Sequence, residues 1–246
     1  MDKLLDVKEA STFFNVSEMT IRRWTNSGRL KCFRVGGKKE RRFRLSNLQE
    51  LLQSNIEEIP LGFSGFIVPK SAHLSHFYAG EGESLDLGIP YIKEGLDRGE
   101  LVLIVSPDKR IPKFLSGLEN HGVMVDVLKS QGILTAFTGG ADFDTQTELM
   151  INLLEKSKQF KGFRLLGDMA WTQDRRWDLS KIYALEKLTN EMRTGKDCLF
   201  LCQYDITKFS ADATFMAMQT HNYTVYRDKL NPSPYFDIAK GWFPAT

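Results

Sequence analysis

Ten lysines and arginines stand between residues 22 and 44 of this 246-residue chain, with Glu40 the one acid among them, a local net charge of +9. Cations at that density point to phosphate contact, because each neutralises backbone charge on a polyanion. The other reactive side chains are sparser. His73 and His76 are three apart on a stretch that reads as a strand, where they point to opposite faces and chelate one ion poorly. His73 is therefore read as a hydrogen-bonded core residue. His121 and His221 stand far along the chain with no cysteine or carboxylate pair at metal spacing, so no metal ligand is assigned. Cys32, Cys198 and Cys202 form no C-x-x-C pair, and an extended run from Cys198 to Cys202 holds the sulfurs roughly 13 Å apart. They are read as reduced and mostly buried. No G-x-S-x-G elbow supports a serine nucleophile, and the chain is expected to be neither an enzyme nor a cofactor carrier.

The elements that hold these residues fall into two unlike parts. Over the whole chain, 33 basic and 31 acidic residues leave a net charge of only +2. Residues 1–60 carry 12 basic against 8 acidic, a net of +4, and residues 61–246 carry 21 against 23, a net of −2. The positive charge is local, and the average conceals it. Hydrophobic residues at 42% and charged residues at 26% exclude a collagen-like, disordered or disulfide-dense chain. At ~150 residues per domain, the length fits one large domain or two unequal ones. No apolar run approaches the ~18 residues that cross a bilayer, and the N-terminus lacks a signal-peptide pattern. A cytoplasmic protein with no membrane partner is expected.

Asp6 is placed to cap a first helix through Val7, Ala10, Phe13 and Phe14, and Asn15 suits the turn after it. Ser17 and Glu18 open a second helix through Ile21 and Trp24, ending at Asn26-Ser27-Gly28. Two short helices joined by so tight a turn are a helix-turn-helix signature. Residues 33–35 and 41–45 read as strands about Gly36-Gly37, a hairpin tipped by Lys38 and Lys39. Ser46 is expected to cap a last helix with Leu48, Leu51 and Leu52 inward. In order, the R-R-W, G-x-L, R-V-G-G and R-R-F elements of residues 3–54 resemble the winged helix-turn-helix of the excisionase and MerR-like group. That resemblance implies double-stranded DNA as partner, with Thr20, Arg22, Arg23 and Asn26 on or near the exposed face of the recognition helix. Lys38, Lys39, Arg41, Arg42 and Arg44 on the wing are phosphate candidates. Residues 1–55 form this head, and 56–65, with Pro60, Gly62 and Gly65, are expected as a linker.

From residue 66 to 246, strand-like runs at 73–78, 101–106, 123–128, 163–169 and 199–204 alternate with amphipathic stretches near 85–98, 111–121, 145–158, 179–194 and 211–223. The alternation predicts an α/β domain, its mainly parallel sheet covered by helices on both faces. Pro90 is expected to kink or restart the first of these helices. Ligands in such sheets bind beyond the carboxyl ends of the strands. That rule selects His76, Tyr78, Gly80, Ser84, Ser106, Asp168, Trp171, Gln203 and Tyr204 as a binding rim for a small-molecule effector.

The motifs H-x-x-x-F-Y at 73–78, Y-I-K-E-G-L-D-R-G-E at 91–100, G-D-M-A-W at 167–171 and C-Q-Y-D at 202–205 resemble the MEDS sensory domain over residues 66–230. The whole layout is similar to DcmR-type transcriptional regulators, which implies sensing of a small C1 or hydrocarbon-derived compound. The sensor also resembles the RecA and KaiC-like fold. A phosphate-cradling loop needs G-x-x-x-x-G-K-[ST], whereas residues 79–84 read AGEGES, with Glu81 and Glu83 where triphosphate is repelled. A ligand-responsive DNA-binding regulator acting as a homodimer is the reading that results. A nucleotide-binding switch and an excisionase-like architectural protein with a protein-docking module are the alternatives.

Overall fold

Helix α1 (Val7–Phe14) begins in a capping box: the Asp6 carboxylate accepts the Glu9 amide at 2.8 Å, and the Glu9 carboxylate accepts the Asp6 amide at 2.9 Å. Asn15, at a left-handed φ of 52°, ends the helix and turns the chain into α2 (Glu18–Asn26). The structure is a computed structural model and describes residues 4–26, 30–37, 40–53, 57–193 and 197–236. Strands β1 (Phe33–Val35) and β2 (Glu40–Arg42) pair antiparallel, and α3 (Leu45–Gln53) closes the head. Ala10, Ile21, Leu30, Phe43, Leu48 and Leu51 form its core, with Trp24 packed edge-on against Phe14. Two details differ from expectation. Helix α3 starts before Ser46, the Arg44 carbonyl accepting the Asn47 amide, and Leu52 faces out because Leu48 and Leu51 already span the narrow buried stripe.

The chain separates into two compact units, Met1–Glu57 and Glu58–Thr246. The expected linker therefore ends early. Strand β3 (Glu58–Pro60) pairs antiparallel with β4 (Ile67–Pro69), and Ile59 and Leu61 are buried in the larger unit's core. Pro60 and Gly62 punctuate the chain as read from sequence, but their place is a hairpin that packs, not a spacer.

The larger unit continues through β5 (His73–Tyr78), α4 (Glu81–Asp97), β6 (Leu101–Val105), α5 (Ile111–Asn120), α6 (Val125–Ser130) and β7 (Leu134–Phe137). It then runs through α7 (Phe143–Lys156), β8 (Phe163–Asp168), α8 (Ala170–Asp174), α9 (Leu179–Arg193), β9 (Cys198–Asp205), α10 (Ala211–Thr220), β10 (Tyr223–Tyr226) and β11 (Lys229–Pro232). Seven strands lie in the order β11-β10-β5-β9-β8-β6-β7, all neighbours parallel except the β10–β11 pair. Helices cover both faces, as the alternation of elements predicted. The run at 123–128 is a correction: it holds α6, and β7 takes the sheet edge. Val123, Val125 and Val127 alternate as a strand would, but Val127 is exposed and the pattern misleads. Helix α4 passes Pro90 without restarting. The proline removes the donor for the Asp86 carbonyl, and Asp86 is exposed where solvent serves that oxygen.

Alternation along each strand separates two cores. Leu103, Phe163, Leu165, Phe200 and Phe77 face α7, α9 and α10, whereas Val102, Ile104, Leu166, Leu199 and Leu201 face α4 and α5. Each large side chain buried this way contributes about 1.5–3 kcal/mol of transfer free energy, so both faces are strongly held.

Candidate functional site

In the head, the sequence-selected residues meet different fates. Thr20 is committed to the start of α2, its amide donating to Ser17 Oγ at 3.2 Å and its hydroxyl 3.0 Å from the same atom. Arg22 and Arg23 are exposed, and Arg22 pairs with Glu18 one turn back at 3.2 Å, a solvated contact of little energetic weight. The Arg41 guanidinium donates to Asn26 Oδ1 at 2.6 Å and so joins the last residue of α2 to the hairpin. Arg42 pairs with Glu40 at 2.8 Å, and Arg44 lies 5.1 Å over the Phe33 ring. Lys38 and Lys39 lie outside the described residues.

A charged cleft of about 450 Å³ joins these elements, lined by Lys8, Arg22, Arg34, Arg41 and Arg42 and also by the carboxylates of Asp6, Glu18 and Glu40. Arg34 stands directly opposite Arg41 in the hairpin register. Like charges so placed repel, and a bound anion relieves the repulsion. Sequence reasoning did not single out Arg34 or Lys8, although Arg34 alternates with Phe33 and Val35 and so had to share a face with Arg41.

The carboxyl ends of the sheet strands carry a second constellation. Asp168 ends β8 wholly buried, with Ser106 Oγ donating to it at 3.1 Å and the Tyr78 hydroxyl at 3.2 Å. Arg110, from the turn before α5, reaches Asp168 at 2.7 Å and Tyr78 Oη at 2.5 Å, and lies 3.9 Å from Asp205 and 3.6 Å from Glu81. Lys113 and Lys208 complete the network at 2.6 Å from Glu81 and 3.3 Å from Asp205. Arg110, Lys113 and Lys208 thus balance Glu81, Asp168 and Asp205. Burial opposes the Arg110 charge, but Asp168 and the Tyr78 hydrogen bond outweigh it and raise its pKa above the guanidinium value. Burial, aided by Asp168, likewise raises the Tyr78 phenol.

Ser84, Gln203 and His76 form a neighbouring buried set. Ser84 Oγ donates to Gln203 Oε1 at 2.8 Å, and Gln203 Nε2 lies 2.9 Å from the Ser84 carbonyl and 3.1 Å from His76 Nδ1. His76 Nε2 is buried without a hydrogen-bond partner, and burial pushes its pKa down to about 4. Gly80 caps α4 at φ 108°, a conformation that suits glycine, but the first turn of that helix is filled by carboxylates. Glu83 accepts the Ala79 amide at 2.9 Å, and Glu81 is held by the cations just named. The amides that would cradle phosphate in a nucleotide site face negative charge here.

Tyr204 and Trp171 do not join this set. Tyr204 follows Gln203 on one strand and so points to the opposite face, where its hydroxyl donates to Glu186 at 2.5 Å. Trp171 turns to that face as well, where it stacks edge-on with Trp177 and packs against Gly139, whose added Cβ would lie 2.2 Å from the indole. The residues selected from sequence as a rim therefore fall into two groups on two faces of the sheet. On the Trp171 face lies a cavity of about 20 Å³ walled by Met150, Leu165, Gly167, Met169 and Trp171, with Glu186 and Cys202 among its lining.

Beside that cavity the fold gathers groups that chain distance had kept apart. His73, Glu186, Cys202 and His221 are all buried, and one nitrogen, oxygen or sulfur of each lies within 4.8 Å of the others. Residues 73 and 202 share a face because Ser75 is the register partner of Cys202 on the adjacent parallel strand. Burial pushes both histidines down to about 3 and raises the Cys202 thiol, to which Glu186 adds. Local spacing assigns no metal ligand and reads His73 and Cys202 as core, because it does not see a cluster assembled from two strands, α9 and the residue that follows α10.

Among the described residues no helix is long and apolar enough to cross a membrane. The chain is 29% identical over 245 residues to the transcriptional repressor DcmR of Methylorubrum extorquens strain DM4, a match spanning 91% of each chain. Its fold is similar to the solved KaiC-like protein of the archaeon Pyrococcus horikoshii OT3, with a TM-score of 0.54, 12% identity, and 70% of this chain and 80% of that one covered. A helix-turn-helix domain model matches residues 4–56. The model of the methanogen/methylotroph, DcmR sensory domain matches residues 72–222, more than half of the chain and the whole stretch that bears the buried network and the cavity. The chain belongs to the MEDS sensory-domain family, with a helix-turn-helix head in front of that domain.

Proposed function

We propose that this protein is a ligand-responsive transcriptional regulator that binds operator DNA through its head and a small organic effector through its MEDS unit. The observation that carries the reading is the Arg34–Arg41 pair across the hairpin, tied by Arg41 to the end of α2 through Asn26. A phosphate beside that pair would meet two adjacent guanidinium groups and gain from both. Lys38, Lys39, Arg42 and Arg44 add phosphate contacts, while Arg22, Arg23 and Asn26 lie where base edges are read. Two heads on a homodimer multiply the few base contacts that one small module makes. The likeness to a protein named as a repressor supports repression over activation, and a cytoplasmic location follows from the same role.

The effector is a small C1 or hydrocarbon-derived compound held against Trp171 and Met169. The cavity there measures about 20 Å³, room for about one water-sized centre, which favours a very small compound over a nucleotide at this place. The turn from Gly167 to Trp171 has one side in this cavity and Asp168 on the other, so an occupant biases the Arg110 network. Such a switch needs different effector affinities in the two states. Mobility shifts with promoter fragments across a range of salt, with and without a panel of one-carbon and short-chain compounds, test the reading. Absence of DNA binding under every condition would sink it, and DNA binding indifferent to every compound would sink the effector half.

A further inference from the structure

The His73, Glu186, Cys202 and His221 cluster is serviced as a ligand set. His73 Nε2 lies 3.2 Å from Glu186 Oε2 and 3.4 Å from Cys202 Sγ, His221 Nε2 lies 3.6 Å from Glu186 Oε2, and the Cys202 thiol lies 3.8 Å from it. Bonds of about 2.0–2.3 Å to a tetrahedral ion imply edges of roughly 3.3–3.8 Å between its ligands. The four distances, 3.2 to 3.8 Å, lie close to four of the six edges of that polyhedron.

The surroundings fix each donor from behind. His221 Nδ1 lies 2.7 Å from the Ala217 carbonyl, and His73 Nδ1 lies 3.3 Å from Asn190 Oδ1. A proton on each Nδ1 leaves both Nε2 lone pairs aimed into the cluster, the orientation that ligating histidines take from their outer hydrogen bonds. Glu186 Oε1 is held by the Tyr204 hydroxyl, which turns Oε2 inward. His221 Nε2 is fully buried and has no hydrogen-bond partner. Among the described residues, the ion-pair partners of the buried Glu186 carboxylate are these two histidines alone. One cation at the centre satisfies the orphaned nitrogen and the carboxylate together.

We propose that His73, Glu186, Cys202 and His221 bind a transition-metal ion of the Zn²⁺ class. Thiolate with two imidazoles and one carboxylate is a borderline-soft set that favours Zn²⁺ and accepts Co²⁺ or Fe²⁺ over Mg²⁺ or Ca²⁺. The site lies within the larger unit and shares no residue with the basic head or with the Asp168 network, and its existence does not depend on the identity of the effector.

The full-length chain, prepared without a metal-affinity tag and stripped by chelator, is titrated with Co²⁺ and then Zn²⁺. Uptake of one equivalent is expected, with the visible bands of tetrahedral Co²⁺, a thiolate-to-metal band in the near ultraviolet, and loss of both as Zn²⁺ displaces the cobalt. In the Cys32→Ser/Cys198→Ser chain Cys202 is the one remaining thiol, and the thiolate band persists. Tyr204→Phe and Asn190→Ala, which loosen donors without removing them, weaken affinity about 10–100-fold. His121→Ala, at an exposed histidine, leaves uptake unchanged. Absence of the thiolate band from the Cys32→Ser/Cys198→Ser chain at saturating Co²⁺ overturns the proposal. So does a thiolate band that survives Cys202→Ala.

Discussion

Arg110 Nη1 meets Asp168 Oδ2 at 2.7 Å where both side chains are almost wholly out of solvent. A buried pair of this kind adds little over an apolar replacement, because desolvation of both ions offsets their attraction. Removing one partner is a different matter, since the other charge is left buried.

Asp168→Ala and Arg110→Met should therefore each destabilise the larger unit by about 3–5 kcal/mol. The double variant Arg110→Met/Asp168→Leu should lose far less than the sum. Urea unfolding followed by tryptophan fluorescence measures the cycle, and additive losses would show that the two side chains are not coupled.

Arg34→Ala and Arg41→Ala should each weaken DNA binding across all sequences and reduce the slope of log K against log salt by about 0.9. Fluorescence anisotropy over a range of salt reads both effects. Lys208→Ala, in the larger unit, should leave the slope where it is, and equal slopes for all three variants would remove the hairpin from the DNA-binding surface.

His76 gives the larger unit an acid sensitivity of definite sign. Its pKa is pushed by burial from 6.5 to about 4, so the unfolded chain binds its proton first as pH falls. The stability that neutral His76 contributes is complete above about pH 6.5 and is lost progressively down to about pH 4. His76→Asn keeps an acceptor for Gln203 and cannot titrate, so its unfolding midpoint should fall less between pH 7.5 and pH 4.5 than that of the wild type. Equal losses would mean that His76 is not the group responsible.

Gly139→Ala should cost about 2–4 kcal/mol, because a backbone at φ 83° strains any other residue and the new methyl meets the Trp171 indole. Near-ultraviolet circular dichroism should change with it as Trp171 is displaced. An unchanged spectrum and unchanged stability would show that the indole has room to move.

Much of the fold was legible in the chain because it rests on local signals. Asp6, Asn15 and Gly36 sit where caps and turns require them, and the strand runs at 73–78, 163–169 and 199–204 carry enough consecutive apolar residues to be recognised. The run at 123–128 failed because alternating valines fit a strand and a short helix equally well, and β7 occupies the sheet edge beside β6 in its place. Residues 58–65 failed because proline and glycine announce a turn without saying whether that turn packs.

The candidate sites divide along the same line. Charge density located the basic head, and the strand-end rule selected Tyr78, Ser106 and Asp168, which do meet. Neither signal named Arg110, which enters from a turn and acts through a carboxylate 58 positions along the chain. Composition, periodicity and charge thus determined that a basic helix-turn-helix head precedes a larger α/β unit. Only the tertiary structure decided that Gln203 and Tyr204 serve opposite faces, and that His73, Glu186, Cys202 and His221 converge. A strand shows its alternation in sequence, but which strands and helices lie side by side is set by packing between residues more than a hundred positions apart, and no local pattern records it.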